Sequence, residues 1–227
     1  MGTVIKNFDK DDRAGYSIDL SKNGRTIAIA GNEEVSVYRW DGSNWEQLGN
    51  KLSGFSGDPS VSISADGQTV AASTLYGSSN VFDWNGEDWE QRGNTFSDPG
   101  RKIKISPDGS TLAIAEPLYP NVAKEGLSAN AGYMRVYRWQ SDKWVQLGSR
   151  LSGTNSFQSF GSAIDLSEDG SIVAVGSSYV FSNRDKGFVT IYEWDGSSWN
   201  MRGTKIDGHH NKDIFGGSLA LSPDGSI

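Results

Sequence analysis

The chain has 227 residues, a formal net charge of −7, 36% hydrophobic residues and no cysteine. The acidic balance argues against nucleic acid or an anionic membrane as a partner, because both select for basic protein surfaces. The lack of cysteine excludes a disulfide framework and a thiolate zinc site, and no stretch reaches the roughly 20 apolar residues of a membrane-spanning helix.

A repeated pair of hairpins organises the whole chain. The first hairpin of each unit has a Ser-x-Asn-Gly or Ser-x-Asp-Gly turn between apolar runs, as in SIDLSKNGRTIAIAG, and a fifth copy, SLALSPDGSI, ends the chain. The second hairpin is marked by two tryptophans five residues apart. In the first unit this pattern predicts four strands, at Ser17–Leu20, Thr26–Ala30, Val35–Trp40 and Trp45–Leu48.

The eight tryptophans form four pairs with one spacing, and each pair brackets a short polar turn. The pairs are Trp40/Trp45, Trp84/Trp89, Trp139/Trp144 and Trp194/Trp199. Asp-Gly and Asn-Gly in three of these turns predict tight hairpins with two residues at positive φ. Because the pairs recur in every unit, we interpret them as structural; carbohydrate stacking is the alternative role for such exposed aromatic faces.

Four-stranded units of this length predict an all-β fold, a β-propeller. We expect one domain over residues 1–227, with blades at about 15–53, 59–98, 101–153 and 161–208. Residues 1–8 and 216–227 match the last and first strands of an incomplete fifth blade. The chain is then a fragment of a longer propeller, or pairs with another copy, or has a reduced fifth blade.

The motif string resembles the FG-GAP repeats of integrin α-like propellers. The matching segments are Phe160–Ile164 and Phe215–Leu219 at strand one, and Gly132–Tyr137 and Gly187–Tyr192 at strand three. The likeness is greatest to the subgroup that reads LSxDGxxxAxG…VxVYxWDGxxWxQxG. This resemblance implies a propeller fold and an extracellular or cell-surface, adhesive setting, while function varies among such propellers.

Three polar features are candidates for a metal or catalytic site: the turns of the first hairpins, the histidine pair and an acidic cluster near the N-terminus. Integrin-like blades often hold Ca²⁺ in a long Asp-rich loop, but the turns here carry at most one Asp each, and Ca²⁺ needs six to eight oxygen ligands. His209 and His210 point apart in an extended segment, and the cluster Asp9, Asp11 and Asp12 lacks a full ligand set. We therefore expect no catalytic residues, no cofactor and no metal.

The link between strands two and three varies most in length, and it is longest at Glu116–Gly132 and Ser177–Gly187. Variable loops on a rigid scaffold are where binding usually resides. We expect a non-enzymatic binding or adhesion module that contacts a protein partner through these loops. The alternatives are a structural subunit that completes its open blade with another copy, and a lectin-like glycan binder. The candidate contact residues are Tyr119, Pro120, Leu127, Tyr179 and Phe181.

Overall fold

The computed structural model describes residues 5, 13–55, 57, 59–74, 78–97, 100–118, 129–178 and 186–226. Within these ranges the chain forms nineteen strands in four antiparallel sheets and no helix. The sheets are the blades of a β-propeller, as the sequence predicts. None of the described segments is a helix able to cross a membrane.

The strands of the first two blades follow the repeat. The first blade contains β1 (Ser17–Leu20), β2 (Thr26–Ala30), β3 (Glu33–Trp40), β4 (Trp45–Gln47) and β5 (Leu52–Phe55). The second blade contains β6 (Ser60–Ile63), β7 (Thr69–Ser73), β8 (Ser79–Trp84) and β9 (Trp89–Gln91).

The third and fourth blades repeat this order. The third contains β10 (Lys102–Ile105), β11 (Thr111–Glu116), β12 (Tyr133–Gln140), β13 (Lys143–Gln146) and β14 (Leu151–Ser152). The fourth contains β15 (Phe160–Leu166), β16 (Ile172–Ser177), β17 (Phe188–Trp194), β18 (Trp199–Met201) and β19 (Ile206–Asp207). In three blades a short fifth strand, which the sequence pattern did not reveal, pairs with the far end of strand three.

The first hairpin of each blade has a turn that closes on its own side chains. In the second blade, Ser64 Oγ accepts a hydrogen bond from Thr69 N at 2.9 Å and donates one to Asp66 Oδ1 at 2.6 Å. The same arrangement recurs at Ser106/Asp108 and Ser167/Asp169. The carboxylates therefore act as turn acceptors, which is why Asp recurs in these turns. In the first blade the amide oxygen of Asn23 has the same role.

The Trp-flanked hairpins form at the expected places. In three of the four, however, the predicted two-residue turn with both φ angles positive is wrong. In the first blade the loop spans four residues, and only Gly42 has a positive φ, of 114°. The Asp41 carboxylate instead accepts hydrogen bonds from Ser43 N and Asn44 N. The two-residue turn with both φ angles positive occurs where no glycine is present, at Ser141 (48°) and Asp142 (60°).

The core lies between the blades. One face of the first blade, with Ala28, Ala30 and Val37, packs on Val61 and Val70 of the second. Equivalent clusters join the second blade to the third and the third to the fourth. The small residues of the second strands are fully buried here, so neighbouring sheets can approach closely.

Residues 216–226 form no strand ladder, although they contact the fourth blade where the sequence predicts the first strand of a fifth. Leu221 N donates to Asp165 Oδ2 at 2.8 Å, and Glu168 N donates to the carbonyl of Pro223 at 2.7 Å. Of the N-terminal piece of that predicted blade, residues 1–8, only Ile5 is described.

Candidate functional site

The first strand of each blade lines the centre of the molecule. Strands β1, β6, β10 and β15 contact one another in succession. Residues two apart in a strand face the same side, so each strand places alternate residues toward the axis. At one level the equivalent residues are Ser17, Ser60, Lys102 and Ala163; one step deeper they are Asp19, Ser62, Lys104 and Asp165.

The deeper level is closed by an ionic cluster. Lys104 Nζ lies 3.5 Å from Asp19 Oδ2 and 3.6 Å from Asp165 Oδ1, and all three side chains are less than 30% exposed. Asp19 Oδ2 also accepts hydrogen bonds from Ile63 N and Ser62 Oγ. These carboxylates therefore hold the inner strands together, and their remaining acceptor capacity is small.

Two cavities lie at opposite ends of this central channel. The cavity beside the first-hairpin turns has a volume of about 210 Å³; apolar side chains dominate it, and Lys22 and Glu168, 3.5 Å apart, are at its edge. The other, which we call the loop-end pocket, has a volume of about 180 Å³. It is lined by Tyr16, Ser17, Pro59, Ser60, Arg101, Lys102 and Pro117.

The loop-end pocket lies at the base of the long loops. Glu116 pairs with Tyr133 and Ser177 pairs with Phe188, so both loops leave their blades at the end where the inner strands begin. The predicted contact residues Tyr119, Pro120, Leu127, Tyr179 and Phe181 all fall outside the described residues. Their role stays a prediction.

A buried carboxylate orients one cation of this pocket. Arg101 Nε donates to Glu116 Oε1 at 3.1 Å, and the Glu116 side chain is only 5% exposed. Burial raises the pKa of Glu116, although hydrogen bonds from Leu118 N and Arg101 and the guanidinium charge act in the opposite direction. Its Oε2 atom is buried with no hydrogen-bond partner among the described residues, so desolvation outweighs the compensating contacts.

The tryptophans are engaged in packing between blades. The indole Nε1 atoms of Trp89, Trp144 and Trp199 donate to backbone carbonyls of the preceding blade over 2.8–3.0 Å. Within each pair the rings are tilted, with centroids 5.3–5.6 Å apart. This geometry supports the structural interpretation of the repeat and leaves little of these three indoles for sugar stacking.

The two histidines are exposed, and their rings do not converge on one point. The His210 side chain is 86% exposed; its Nδ1 lies 3.8 Å from Asp213, and the two imidazole centroids are 6.3 Å apart. Across the described ranges, no three His, Cys, Asp or Glu side chains are grouped so that they could hold a metal ion. Asp9, Asp11 and Asp12 lie outside those ranges.

The loop-end pocket was not predicted from the sequence, because the predicted contact residues were all in the variable loops. The signal that could have found it is the alternation in the inner strands, SIDL, SVSI and KIKI. Apolar residues at every second position fill the spaces between blades, so the intervening polar residues must face the axis.

Comparison with known proteins identifies the fold only. No family model matches the chain, and no curated protein matches it. Among solved structures, a functionally unknown protein of Desulfotomaculum acetoxidans matches with a TM-score of 0.64 and 15% identity, over 98% of this chain and 62% of that one.

Two further solved structures are similar at equally low identity. A protein of Bacteroides uniformis, named as a candidate 6-phosphogluconolactonase, has a TM-score of 0.58 and 13% identity, over 86% of this chain and 55% of that one. Hydrazine synthase of Kuenenia stuttgartiensis has a TM-score of 0.56 and 15% identity, over 90% and 52%. The chain thus spans between about half and three fifths of the length of these structures.

Proposed function

We propose that the chain is a non-enzymatic binding module that receives its partner at the end of the propeller from which the long loops emerge. The observation that carries this proposal is that the loop-end pocket includes Pro117, at the base of the Glu116–Gly132 loop. The Ser177–Gly187 loop leaves the fourth blade at the same end of the propeller. A recess flanked by variable loops on a rigid sheet scaffold is a common arrangement for recognition. The resemblance to FG-GAP propellers supports an adhesive, extracellular role.

The proposal is tested by comparing the binding partners that the wild type and two variants retain from extracts. One variant has residues 119–128 replaced by a short Gly-Ser linker, which spares Glu116 and the β11–β12 pairing. The control variant has the remote turn residues Gly42 and Ser43 exchanged for another Asx-turn sequence. We expect a partner that is retained by the wild type and the control but lost with the loop variant. Equal retention by all three would contradict the proposal.

A second candidate function is that of a subunit that docks on another copy of itself. It is supported by the face of the first blade that points away from the second blade. Tyr16, Ile18 and Leu20 are 59%, 61% and 50% exposed. The equivalents of Ile18 and Leu20 in the next blade, Val61 and Ile63, are each 5% exposed because the preceding sheet covers them. The exposed face thus has the residues that receive a blade elsewhere in the chain, and a second copy would supply that blade.

Light scattering over a concentration series tests this second candidate. Self-association should disappear in Ile18→Asp and persist in Met201→Asp, which changes another exposed apolar residue (51%) on the outermost full strand of the fourth blade. A wild type that is monomeric at every concentration, or a Met201→Asp variant that dissociates as readily, would rule out self-docking through this face.

A further inference from the structure

We propose that the loop-end pocket binds a single oxyanion group, a carboxylate or a phosphate, carried by a compact ligand. This inference deepens the proposed function and names the chemistry that the binding face would recognise. It depends on how charge, hydrogen-bond donors and size combine in the pocket.

The charge of Lys102 has no paired carboxylate among the described residues. Its equivalents on the other inner strands are Ser17, Ser60 and Ala163. Lys104, two residues further along the same strand, lies between two aspartates. The chain therefore neutralises the inner lysine and leaves the outer one facing the pocket.

Arg101 adds a second cation with a fixed orientation. Glu116 contacts the guanidinium at Nε, and within the described residues the two terminal guanidinium nitrogens have no partner, so they can face a ligand. A planar guanidinium presents donors that match the oxygens of a carboxylate or a phosphate. Because Glu116 is buried and held by Leu118 N, it acts as a positioning residue for Arg101.

Two serine hydroxyls complete the donor set. Ser17 Oγ accepts a hydrogen bond from Val61 N at 3.2 Å, and Ser60 Oγ accepts one from Ile103 N at 3.3 Å. A hydroxyl that accepts in this way still has its own proton to donate. The pocket thus combines two cations and two O–H donors, an arrangement suited to an anion and unusual in a chain with a net charge of −7.

The size of the pocket restricts what can enter. A volume of about 180 Å³ is below the roughly 300–1,000 Å³ of a site that encloses a drug-sized ligand. One charged group fits, with the rest of the ligand outside against Tyr16, which is 59% exposed. An acidic or phosphorylated sugar has this form, since its ring can lie against the aromatic face while its anionic group enters the pocket.

The experiment is calorimetric titration of the full chain at low ionic strength with inorganic phosphate, with glucuronate and, as a neutral control, with glucose. We expect at least one anion to bind and glucose not to bind. Binding of only phosphate or only glucuronate would identify which oxyanion the pocket accepts. The backbone amides of Val61 and Ile103, which report on the two serines, should show the largest NMR shifts.

Matched lysine variants show whether any anion binding takes place in the loop-end pocket. Lys102→Met should weaken anion binding by about tenfold or more, as expected for a lost charged hydrogen bond, and Lys102→Arg should restore it. Lys143→Met removes the same charge from an outer strand of the same blade and should leave binding unchanged. Both lysines are exposed, so folding is preserved in each variant.

The proposal is overturned if neither anion binds, or if Lys143→Met weakens binding as much as Lys102→Met. The outcome of the anion titration can be distinguished from that of the loop-replacement test. If anions fail to bind while the loop variant still loses its partner, the proposal that the partner binds at the end with the long loops is retained. The proposed chemistry of the pocket is then wrong. If the loop variant keeps its partner while Lys102 still controls anion binding, the pocket stands and the assignment of the partner to the loops is wrong.

Discussion

The indole Nε1 of Trp89 donates a hydrogen bond to the backbone carbonyl of Leu48 in the preceding blade over 2.8 Å. The contact joins residues 41 positions apart, and its equivalents, from Trp144 and Trp199, span 52 positions each. These three second tryptophans therefore belong to their own hairpins and also connect their blades to the preceding ones.

Trp89→Phe should reduce the free energy of unfolding by about 1–3 kcal/mol, because it leaves the Leu48 carbonyl without its partner and removes part of a buried ring. The matched control is Trp45→Phe, the same change in the first blade, where the described residues include no preceding blade. Urea unfolding of both variants measures the difference. Equal losses would show that the hydrogen bond between blades contributes nothing.

Gly93→Ala should destabilise the protein more than Gly203→Ala. The two glycines have nearly the same φ, 76° and 74°, so the backbone strain of an added side chain is common to both. A Cβ at Gly93 would lie 2.7 Å from Trp139 Cζ3 and 3.0 Å from Trp144 Cδ1, whereas Gly203 has no atom within 4 Å of that position.

We expect overpacking to make Gly93→Ala about 1–3 kcal/mol worse than Gly203→Ala in denaturant unfolding. Similar values for the two variants would mean that the Trp139/Trp144 pair moves aside at little cost, and that the approach of this glycine to the next blade is not a packing requirement.

The stability of the protein should decline with rising pH above about pH 4.5 because of Glu116. Burial raises the pKa of this carboxyl above its ordinary value of 4.5, so the folded protein retains a proton that the unfolded chain has lost. The free energy of unfolding then falls from that pH up to the raised pKa and is level beyond it.

Glu116→Gln should remove this decline. Glutamine keeps an oxygen acceptor for Arg101 Nε and Leu118 N but no longer ionises, so the variant should gain stability relative to the wild type as pH rises. Urea unfolding of both proteins between pH 4 and pH 8 isolates the effect, since all other carboxyl groups are common to the two. A difference in stability that does not vary with pH would contradict the assignment.

Lys104→Met should destabilise the central channel by leaving Asp19 and Asp165 without their shared cation. We expect a loss of about 1–2 kcal/mol, smaller than for a fully buried ion pair because water reaches all three side chains. A double-mutant cycle with Asp165→Asn should show a coupling energy, and Lys143→Met should change stability by less than about 0.5 kcal/mol. Strict additivity in the cycle would show that the two groups do not interact.

Much of the fold was open to prediction from the sequence because its determinants are local. The predicted strands of the first blade, Ser17–Leu20 and Thr26–Ala30, agree with the structure at both ends. Strand β15 has a register shift between Phe160 and Ala163, at Gly161. The short fifth strands were missed, since their ladders of two to four residues carry no alternation that could be read.

What the sequence determined by itself was the repeat, the hairpins and the role of Asp and Asn in the turns. These features depend on side chains that bond to backbone groups within about five residues, so the chain encodes them locally. Only the tertiary structure brought Arg101, Lys102, Ser17 and Ser60 into one pocket and placed Lys104 between Asp19 and Asp165. These contacts depend on how successive sheets are arranged about the axis. That arrangement follows from the packing of whole sheet faces rather than from any single segment.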